Sequence, residues 1–198
     1  VSNGVITINS VTGDIIITAI AIIVDENKLV YSLPQTTAFN GRGDYIDTNI
    51  QLFDTDKDFT IFLDFINGDG NTSTLNTILH CMEEQTPYYG LSIKPSNNCI
   101  KVDYYGNADQ DNIIISEPTK LIITHTKNIN NVKLHFKNNF TGVDLTSNLP
   151  YHSITQNTIL GAYQDKNGNK GRYWKGTINQ CEIWFGVLTN DDINTLLN

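Results

Sequence analysis

The residues best suited to chemistry in this sequence are aromatic side chains next to Asp, Asn and Gln in loop-like segments. Aromatic rings stack on the apolar faces of sugar rings, and carboxylate and amide groups form hydrogen bonds with sugar hydroxyls. In each adjacent aromatic pair, one ring can instead belong to the core. The predicted carbohydrate-binding residues are Tyr104, Tyr105, Asn107 and Asp109 in one segment, and Tyr163, Asp165, Tyr173 and Trp174 in another.

The two tryptophans differ in their surroundings. Trp184 lies in a run of alternating polar and apolar residues, so it is predicted to be the core tryptophan. Trp174 follows a glycine-rich loop and lies between Arg172 and Lys175, which is compatible with either the core or the surface.

Alternating Asp and Asn residues in three loops could supply oxygen ligands to a calcium ion. The three stretches are DTDKD at 54–58, NGDGN at 67–71 and DKNGNKG at 165–171. None has the glycine and glutamate spacing of an EF-hand, and Asx-rich turns between strands explain the same pattern. We select Asp165, Asn167 and Asn169 as candidate metal ligands, with calcium as the candidate cofactor.

Catalytic patterns are missing from the sequence. Glycoside hydrolases need two carboxylates at acid/base distance, whereas Asp64 and Asp103 are isolated and Glu182 has Gln180 and Trp184 as its same-face neighbours. The four histidines lack metal-ligand spacing, and no serine has the context of a nucleophile elbow. We therefore expect no enzymatic activity.

The composition indicates an all-β domain. Thr and Ile favour strands and Asn favours turns, and 198 residues suffice for one sandwich and a small appendage. A net charge of −8 argues against nucleic acid as a partner, and no apolar run is long enough for membrane insertion. Three cysteines leave at least one unpaired thiol, so we expect buried thiols and folding in a reducing cytoplasm.

The C-terminal residues predict a strand followed by a short helix. Residues 177–185 alternate, with Ile178, Gln180, Glu182 and Trp184 on one face and Thr177, Asn179, Cys181, Ile183 and Phe185 on the other. Thr189 and Asp192 have the spacing of a capping box at a helix start. Ile193, Leu196 and Leu197 then form one apolar stripe.

Strand patterns also recur through the middle of the chain. Residues 59–66 are apolar on both faces, which indicates a central strand covered on both sides. Residues 77–82, 88–93 and 99–105 predict a meander, and residues 121–126 and 132–136 predict a hairpin. Strands that recur every 10–15 residues are typical of a sandwich.

Three motifs resemble laminin-G-like domains of the concanavalin A-like jelly-roll superfamily. They are Ala38–Gly41 with Asp44–Ile46 and Phe59–Ile61, then Ile159–Ala162, then the segment GRYWKGTINQCEIWFGVLTNDDINTLLN at 171–198. They stand in the family order. The resemblance implies a two-sheet antiparallel jelly-roll sandwich over residues 27–198, with a short N-terminal β appendage and a short C-terminal helix. Calcium binding is frequent in such domains.

Residues 1–26 differ from the rest of the chain. The phrase NGVITINSVTGDIIITAIA is similar to segments that precede receptor-binding heads in tail proteins of phages that infect Gram-positive bacteria. The segment is either the end of a preceding module or an N-terminal hairpin added to the main sheet. Because the chain starts with Val1, we expect it to be a piece of a larger or processed protein.

The leading functional hypothesis is a non-catalytic domain that binds a host cell-wall polysaccharide. The resemblances suggest a phage tail or baseplate protein, present in the virion tail and acting outside the cell. Other virion subunits and a homo-oligomer are the expected partners, since repeated weak sites gain strength by avidity. The alternatives are a structural virion subunit without sugar binding, a glycoside hydrolase with a dispersed acid pair, and a secreted adhesin.

Overall fold

A computed structural model describes residues 27–54, 57–68, 76–83, 89–96, 99–104, 113–114, 119–127, 131–137, 139–146 and 152–198. Within these ranges the chain forms short strands and one C-terminal helix, as the composition predicts. The elements are β1 (Lys28–Ser32), β2 (Thr37–Asn40), β3 (Ile46–Asp47), β4 (Phe59–Asn67), β5 (Leu79–Glu83), β6 (Tyr89–Ser96), β7 (Cys99–Tyr104), β8 (Ile113–Ile114), β9 (Thr119–Thr126), β10 (Asn131–Phe136), β11 (Asn139–Thr146), β12 (Ile159–Leu160), β13 (Tyr163–Gln164), β14 (Lys170–Gly171), β15 (Lys175–Phe185) and α1 (Asn190–Leu197).

The strands form two antiparallel sheets and a small hairpin. The seven-stranded sheet has the order β1-β15-β4-β9-β10-β11, with β2 also paired to β15. The six-stranded sheet has the order β3-β12-β5-β6-β7-β8, and β13 pairs with β14 separately. The predicted meander (β5 to β7) and hairpin (β9 and β10) are confirmed, and so is the predicted jelly-roll sandwich. The predicted appendage at 1–26 lies outside the described residues.

The main core lies between the two sheets and is built by alternate residues of their strands. Phe59, Ile61 and Leu63 of β4 project into it from the larger sheet. Leu79 and Cys81 of β5 belong to the same cluster and are completely buried. Burial of this apolar area is the main stabilising term for a sandwich of this size.

A second apolar cluster lies on the outer face of the seven-stranded sheet. Phe62 of β4 and Ile122 of β9 pack there against Ile193 and Leu197 of α1. This arrangement confirms the prediction of a strand covered on both sides as far as Leu63, whereas Ile66 near its end is 36% exposed. It also confirms the apolar stripe of the helix. Helix α1 therefore closes part of this outer face.

Helix α1 begins at the predicted capping box. The hydroxyl of Thr189 accepts a hydrogen bond from the backbone N–H of Asp192, and the Asp192 carboxylate accepts one from the backbone N–H of Thr189, each at 3.2 Å. At the other end, Lys120 Nζ donates to the carbonyl oxygen of Leu196 at 3.1 Å. Both ends of the helix thus have partners for backbone groups that lack intrahelical bonds.

Replacing Thr189 by alanine is expected to lower the free energy of unfolding by about 1 kcal/mol, because alanine cannot accept the bond from Asp192. Urea denaturation followed by circular dichroism measures the change. Thr189→Ser keeps the hydroxyl and serves as the control, since it should retain most of the stability. Equal stability of the alanine and wild-type proteins would contradict this role of the cap.

Strand β15 departs from the predicted alternation. Its register with β4 shifts between Ile178 and Gln180, which marks a β-bulge. The extra residue reverses the phase, so Ile178 shares the main core with Cys181 and Ile183 instead of lying on the opposite face. The prediction that Ile178 faces the same way as Glu182 is therefore wrong.

The prediction of buried thiols is confirmed for the two cysteines whose side chains the structure describes. Cys81 and Cys181 are free and buried. Burial is the main cause that raises the pKa of the Cys81 thiol to about 11, and it also raises the pKa of Cys181. Both side chains therefore act as small apolar groups at neutral pH.

The described residues contain no helix with the length and apolar content needed to cross a membrane.

Candidate functional site

The outer face of the six-stranded sheet carries a row of side chains from four adjacent strands. Because Leu79, Cys81, Leu91 and Val102 face the core, the residues between them point outward. Strand register then sets the order of that row across the sheet: Ile159, His80, Ser92 and Asp103. Cross-strand partners share a face, so the polar members of this row are neighbours.

The β13–β14 hairpin packs against this row. The ring of Tyr163 lies 4.7 Å from the ring of His80, measured between centroids. The guanidinium carbon of Arg172 also lies 4.3 Å from the centroid of the Tyr163 ring. Arg172 is exposed and has a φ of 48°, a left-handed backbone conformation that is uncommon outside glycine. We call His80, Ser92, Lys94, Asp103, Tyr163 and Arg172 the hairpin face.

His80 lies at the centre of the hairpin face as a neutral imidazole. Burial, together with the positive charges of Lys94 and Arg172, lowers the pKa of His80 to about 3. Backbone groups of Gln164 and Met82 act in the opposite direction, but burial outweighs them. The ring nitrogen Nδ1 is 3.5 Å from the hydroxyl oxygen of Ser92, so the two polar groups face each other.

Lys94 and Asp103 form an ion pair across strands β6 and β7. Their side chains are only 16% and 18% exposed, so solvent screens this pair less than a pair at the surface. Lys101 is the direct cross-strand partner of Lys94, which places a second lysine at the same level of the sheet.

An exposed aromatic residue lies near Lys170 of the hairpin. Tyr45, in the loop between β2 and β3, is 46% exposed. Lys170 Nζ is 5.4 Å from its ring centroid, and the same ammonium group binds the side-chain oxygen of Gln164. Tyr45 thus presents one ring to solvent within reach of amide and ammonium groups, a combination suited to sugar stacking.

The turn of the hairpin is organised by Asp165. Its Oδ1 accepts hydrogen bonds from the backbone N–H groups of Asn167 and Asn169, both at 2.8 Å, and its Oδ2 accepts one from Asn169 Nδ2 at 2.9 Å. The bond from the Asn169 side chain is the main cause that lowers the pKa of Asp165. These contacts are those of an Asx-type turn.

The calcium hypothesis for Asp165, Asn167 and Asn169 remains a prediction. Over the described part of the chain, no group of three or more His, Cys, Asp or Glu side chains could hold a metal ion. The turn itself offers one carboxylate and two amide side chains, and amide oxygens are also calcium ligands. The second predicted loop, at 67–71, falls mostly outside the described residues, as does the middle of the first.

Two of the predicted carbohydrate-binding residues belong to the core instead. The side chain of Tyr104 is completely buried, because strand alternation points it inward with Val102. Trp174 is also completely buried, and its Nε1 donates to Asn67 Oδ1 at 2.8 Å. Neither ring can stack on a sugar, so both predictions are wrong. Trp184, which was expected in the core, is half-buried beside α1.

The remaining predicted residues divide into two groups. Tyr163, Asp165 and Tyr173 lie on or beside the hairpin, and the Tyr173 hydroxyl donates to the carbonyl oxygen of Lys170 at 3.2 Å. The structure therefore brings these three close in space, and the ring of Tyr163 is buried against His80 and Arg172. The other three, Tyr105, Asn107 and Asp109, lie outside the described residues.

Sequence reasoning did not select His80, Ser92, Lys94 and Arg172 for the site. The alternation within β5 and β6 could have indicated His80, Ser92 and Lys94 as outward-facing residues, because each of them is flanked by apolar residues. In the sequence, Tyr45 falls within the motif Asp44–Ile46, which does not indicate an exposed ring. In the same β2–β3 loop, Oδ2 of Asp44 accepts a hydrogen bond from the backbone N–H of Asn40 at 2.9 Å.

Sequence comparisons assign no family to this chain. No model of a known protein family matches it. No curated protein matches it either.

Comparison with solved structures shows that the fold is shared by other proteins. A NanB sialidase mutant from Streptococcus pneumoniae superposes with a TM-score of 0.59 at 16% identity, over 86% of this chain and 29% of the sialidase. The CBM40 domain of the Ruminococcus gnavus IT-sialidase, bound to α2,3-sialyllactose, superposes with a TM-score of 0.53 at 11% identity, over 87% of this chain and 97% of that domain. The binding domain of botulinum neurotoxin serotype D gives 0.57 at 16% identity, over 87% and 45% of the two chains.

These similarities define the class of fold, a β-sandwich found as a domain within larger proteins. The chain spans only about 29% of the sialidase it resembles. At such low identities the shared feature is the backbone arrangement, and the side chains of the site must be judged on their own.

Proposed function

We propose that this domain is a carbohydrate-binding module and that its ligand contacts the β13–β14 hairpin and the outer face of the six-stranded sheet. The observation that carries the proposal is the exposed ring of Tyr45 next to Lys170 and Gln164 on this hairpin. An exposed aromatic ring beside amide and ammonium groups is the combination that sugar rings require.

The difference between the two outer faces supports this location. On the seven-stranded sheet, α1 packs over Phe62 and Ile122 and so covers part of the outer face. On the six-stranded sheet the outward row contains His80, Ser92 and Asp103, and within the described ranges no helix packs there. His80 and Ser92 are themselves buried, so the contacts that we propose for a ligand on this side come from the β13–β14 hairpin and Tyr45.

The shared fold gives further support. The superposed CBM40 domain is bound to α2,3-sialyllactose, and the superposed neurotoxin fragment is a binding domain. The solved structures also include sialidases, whose length this chain covers only in part. We propose a binding role without catalysis for the present chain. Among the described residues of its candidate site, Asp103 is paired with Lys94 and Asp165 is held by its own turn, so these two carboxylates do not form an acid/base pair.

The role in a phage tail rests on the sequence of residues 1–26 and remains part of the proposal. In that setting the ligand would be a cell-wall polysaccharide on the bacterial surface, and oligomerisation would raise the avidity of weak single sites. The competing hypothesis is a structural virion subunit that binds no sugar. Binding measurements separate the two.

The proposal predicts that Tyr45→Ala weakens saccharide binding about three- to tenfold, because stacking of one aromatic ring contributes about 0.5–1.5 kcal/mol. The measurement is a screen of glycans and cell-wall polysaccharides against protein displayed multivalently, with calcium and then with a chelator. Loss of binding in the chelator would support the calcium hypothesis for the Asp165 turn.

The matched control is Leu29→Ala, which removes an exposed apolar side chain from β1, on the other sheet. It should leave binding unchanged. Equal binding by Tyr45→Ala and wild type would remove Tyr45 from the site. Absence of binding to every saccharide would favour the structural hypothesis.

A further inference from the structure

We infer that Lys170 is a positioning residue of the proposed saccharide site. Its ammonium group holds the ring of Tyr45 in the orientation that stacks on the ligand, and the turn around Asp165 holds Lys170 in its place. The inference rests on the proposed function, because it explains how the exposed ring of that site is ordered before a ligand arrives.

The ring of Tyr45 is not fixed by packing. It is 46% exposed, and among the described residues it belongs to neither apolar cluster. The backbone of its loop is better held, since Asn40 Oδ1 accepts a hydrogen bond from the backbone N–H of Arg42 at 2.6 Å. A ring on a fixed backbone still rotates about its side-chain bonds, and ordering it during binding costs affinity. A contact that orders the ring beforehand therefore strengthens binding.

Lys170 makes a contact of this kind. Its Nζ lies over the Tyr45 ring, 5.4 Å from the centroid, which is within the range of a cation–π interaction. The same ammonium group donates to Gln164 Oε1 and, at 3.1 Å, to the carbonyl oxygen of Gly168. Two of its three N–H donors are thus engaged within the hairpin, so its charge is held at a defined point above the ring.

The first partner of this ammonium group is fixed by strand pairing. Gln164 faces Lys170 directly across the β13–β14 pair, and it is only 9% exposed. Residues that face each other across antiparallel strands share one side of the hairpin. The side-chain oxygen of Gln164 is therefore presented to the ammonium group by the hairpin itself.

The second partner, the carbonyl group of Gly168, is fixed by the turn around Asp165. The backbone N–H of Gly168 donates to the carbonyl oxygen of Asp165 at 3.0 Å, and the backbone N–H of Asp165 donates to that of Asn169 at 2.9 Å. The Asp165 carboxylate accepts three further hydrogen bonds within the same turn. A path of contacts thus runs from Asp165 through Gly168 and Lys170 to the ring of Tyr45.

This arrangement gives Lys170 a role that differs from direct contact with the ligand. An ammonium group that contacted the saccharide would contribute to affinity whether or not the Tyr45 ring was present. An ammonium group that acts by holding the ring loses its effect once the ring is removed. A double-mutant cycle therefore separates the two roles.

The cycle is measured by NMR titration of the whole chain with lactose, α2,3-sialyllactose, a chitin oligosaccharide and purified cell-wall polysaccharides. Lys170→Met should weaken binding about two- to fivefold, and it should have no further effect in the Tyr45→Ala background. Lys170→Arg keeps a cation over the ring and should restore most of the affinity.

Incorporation of 3-fluorotyrosine reports on the ring without any ligand. The chain has nine tyrosines, and the fluorine signal of Tyr45 is assigned by its absence in Tyr45→Phe. Lys170→Met should move this signal, and so should Asp165→Ala, because each releases the contact over the ring. The matched control is Lys166→Met, which removes one exposed positive charge from the same turn and should leave the signal in place.

The outcomes separate the two levels of the proposal. A Tyr45 signal that stays in place in Lys170→Met would overturn the positioning role while the carbohydrate-binding function stands. Equal losses of affinity from Lys170→Met in the wild-type and Tyr45→Ala backgrounds would also overturn it, since Lys170 would then contact the ligand or support the hairpin as a whole. Binding of the wild type to no saccharide would overturn both.

Discussion

Replacement of Trp174 by alanine is expected to lower the free energy of unfolding by about 3–5 kcal/mol. The side chain is completely buried, with its ring 5.6 Å from Phe39 and 6.2 Å from Phe65 between centroids. Gly176 packs so closely that an added Cβ would lie 2.1 Å from the indole. The substitution removes a large apolar surface, leaves a cavity and deprives Asn67 of its hydrogen-bond donor.

Urea denaturation followed by circular dichroism measures this loss, because fluorescence itself changes when a tryptophan is removed. Trp184→Ala is the comparison: this side chain is half-buried beside α1, so its loss should cost about 1–2 kcal/mol. If Trp174→Ala is as stable as wild type but no longer binds saccharide, Trp174 does not belong to the core.

The protein is expected to lose stability steeply as the pH falls below about 6.5. His80 and His125 are buried, and burial is the main cause that lowers their pKa values, to about 3 and about 4. The unfolded chain takes up a proton on each imidazole near its ordinary pKa, whereas the folded chain does not. Acid therefore favours the unfolded state, by about 1.4 kcal/mol per pH unit for each histidine.

This loss should span the window from about pH 6.5 down to the folded pKa of each group. Between pH 7 and pH 5 each histidine should remove about 2 kcal/mol. The measurement is the free energy of unfolding from urea titrations at several pH values.

His125→Phe tests the contribution of one group directly. The imidazole of His125 stacks on Phe59 at 4.6 Å with an interplanar angle of 12°, and it meets Phe53 edge-on at 5.4 Å. A phenyl ring can occupy this aromatic site and cannot be protonated. The variant should change stability by less than about 1.5 kcal/mol at pH 7 and show about half the loss at pH 5. An unchanged pH slope would show that His125 does not contribute.

The fold was accessible from the sequence because its signals are local. Alternation marked the strands, and the spacing of Thr189 and Asp192 marked the start of α1. The bulge in β15 was not accessible, since an extra residue in one strand becomes visible only against its partner. Because of this bulge, Ile178 lies in the core and not on the opposite face, where simple alternation placed it.

The site was less accessible because it depends on which strands become neighbours. His80, Ser92 and Asp103 are separated by 11–12 residues in the chain, and only the β5-β6-β7 order joins them. Burial also cannot be read from residue type alone, so Tyr104 and Trp174 had the composition of sugar-binding residues and yet fill the core. The hairpin residue Tyr163 was found because its polar neighbours are adjacent in sequence.

The position of β15 in its sheet affects the order in which the domain can fold during synthesis. Among the described strands, β15 lies between β4 on one side and β1 and β2 on the other, and none of them pairs β1 or β2 directly with β4. Residues 28–67 must therefore wait until the ribosome has added at least another hundred residues before their sheet is complete. During that interval their unpaired edges are open to other chains, and synthesis rate and chaperones should govern the yield of native protein.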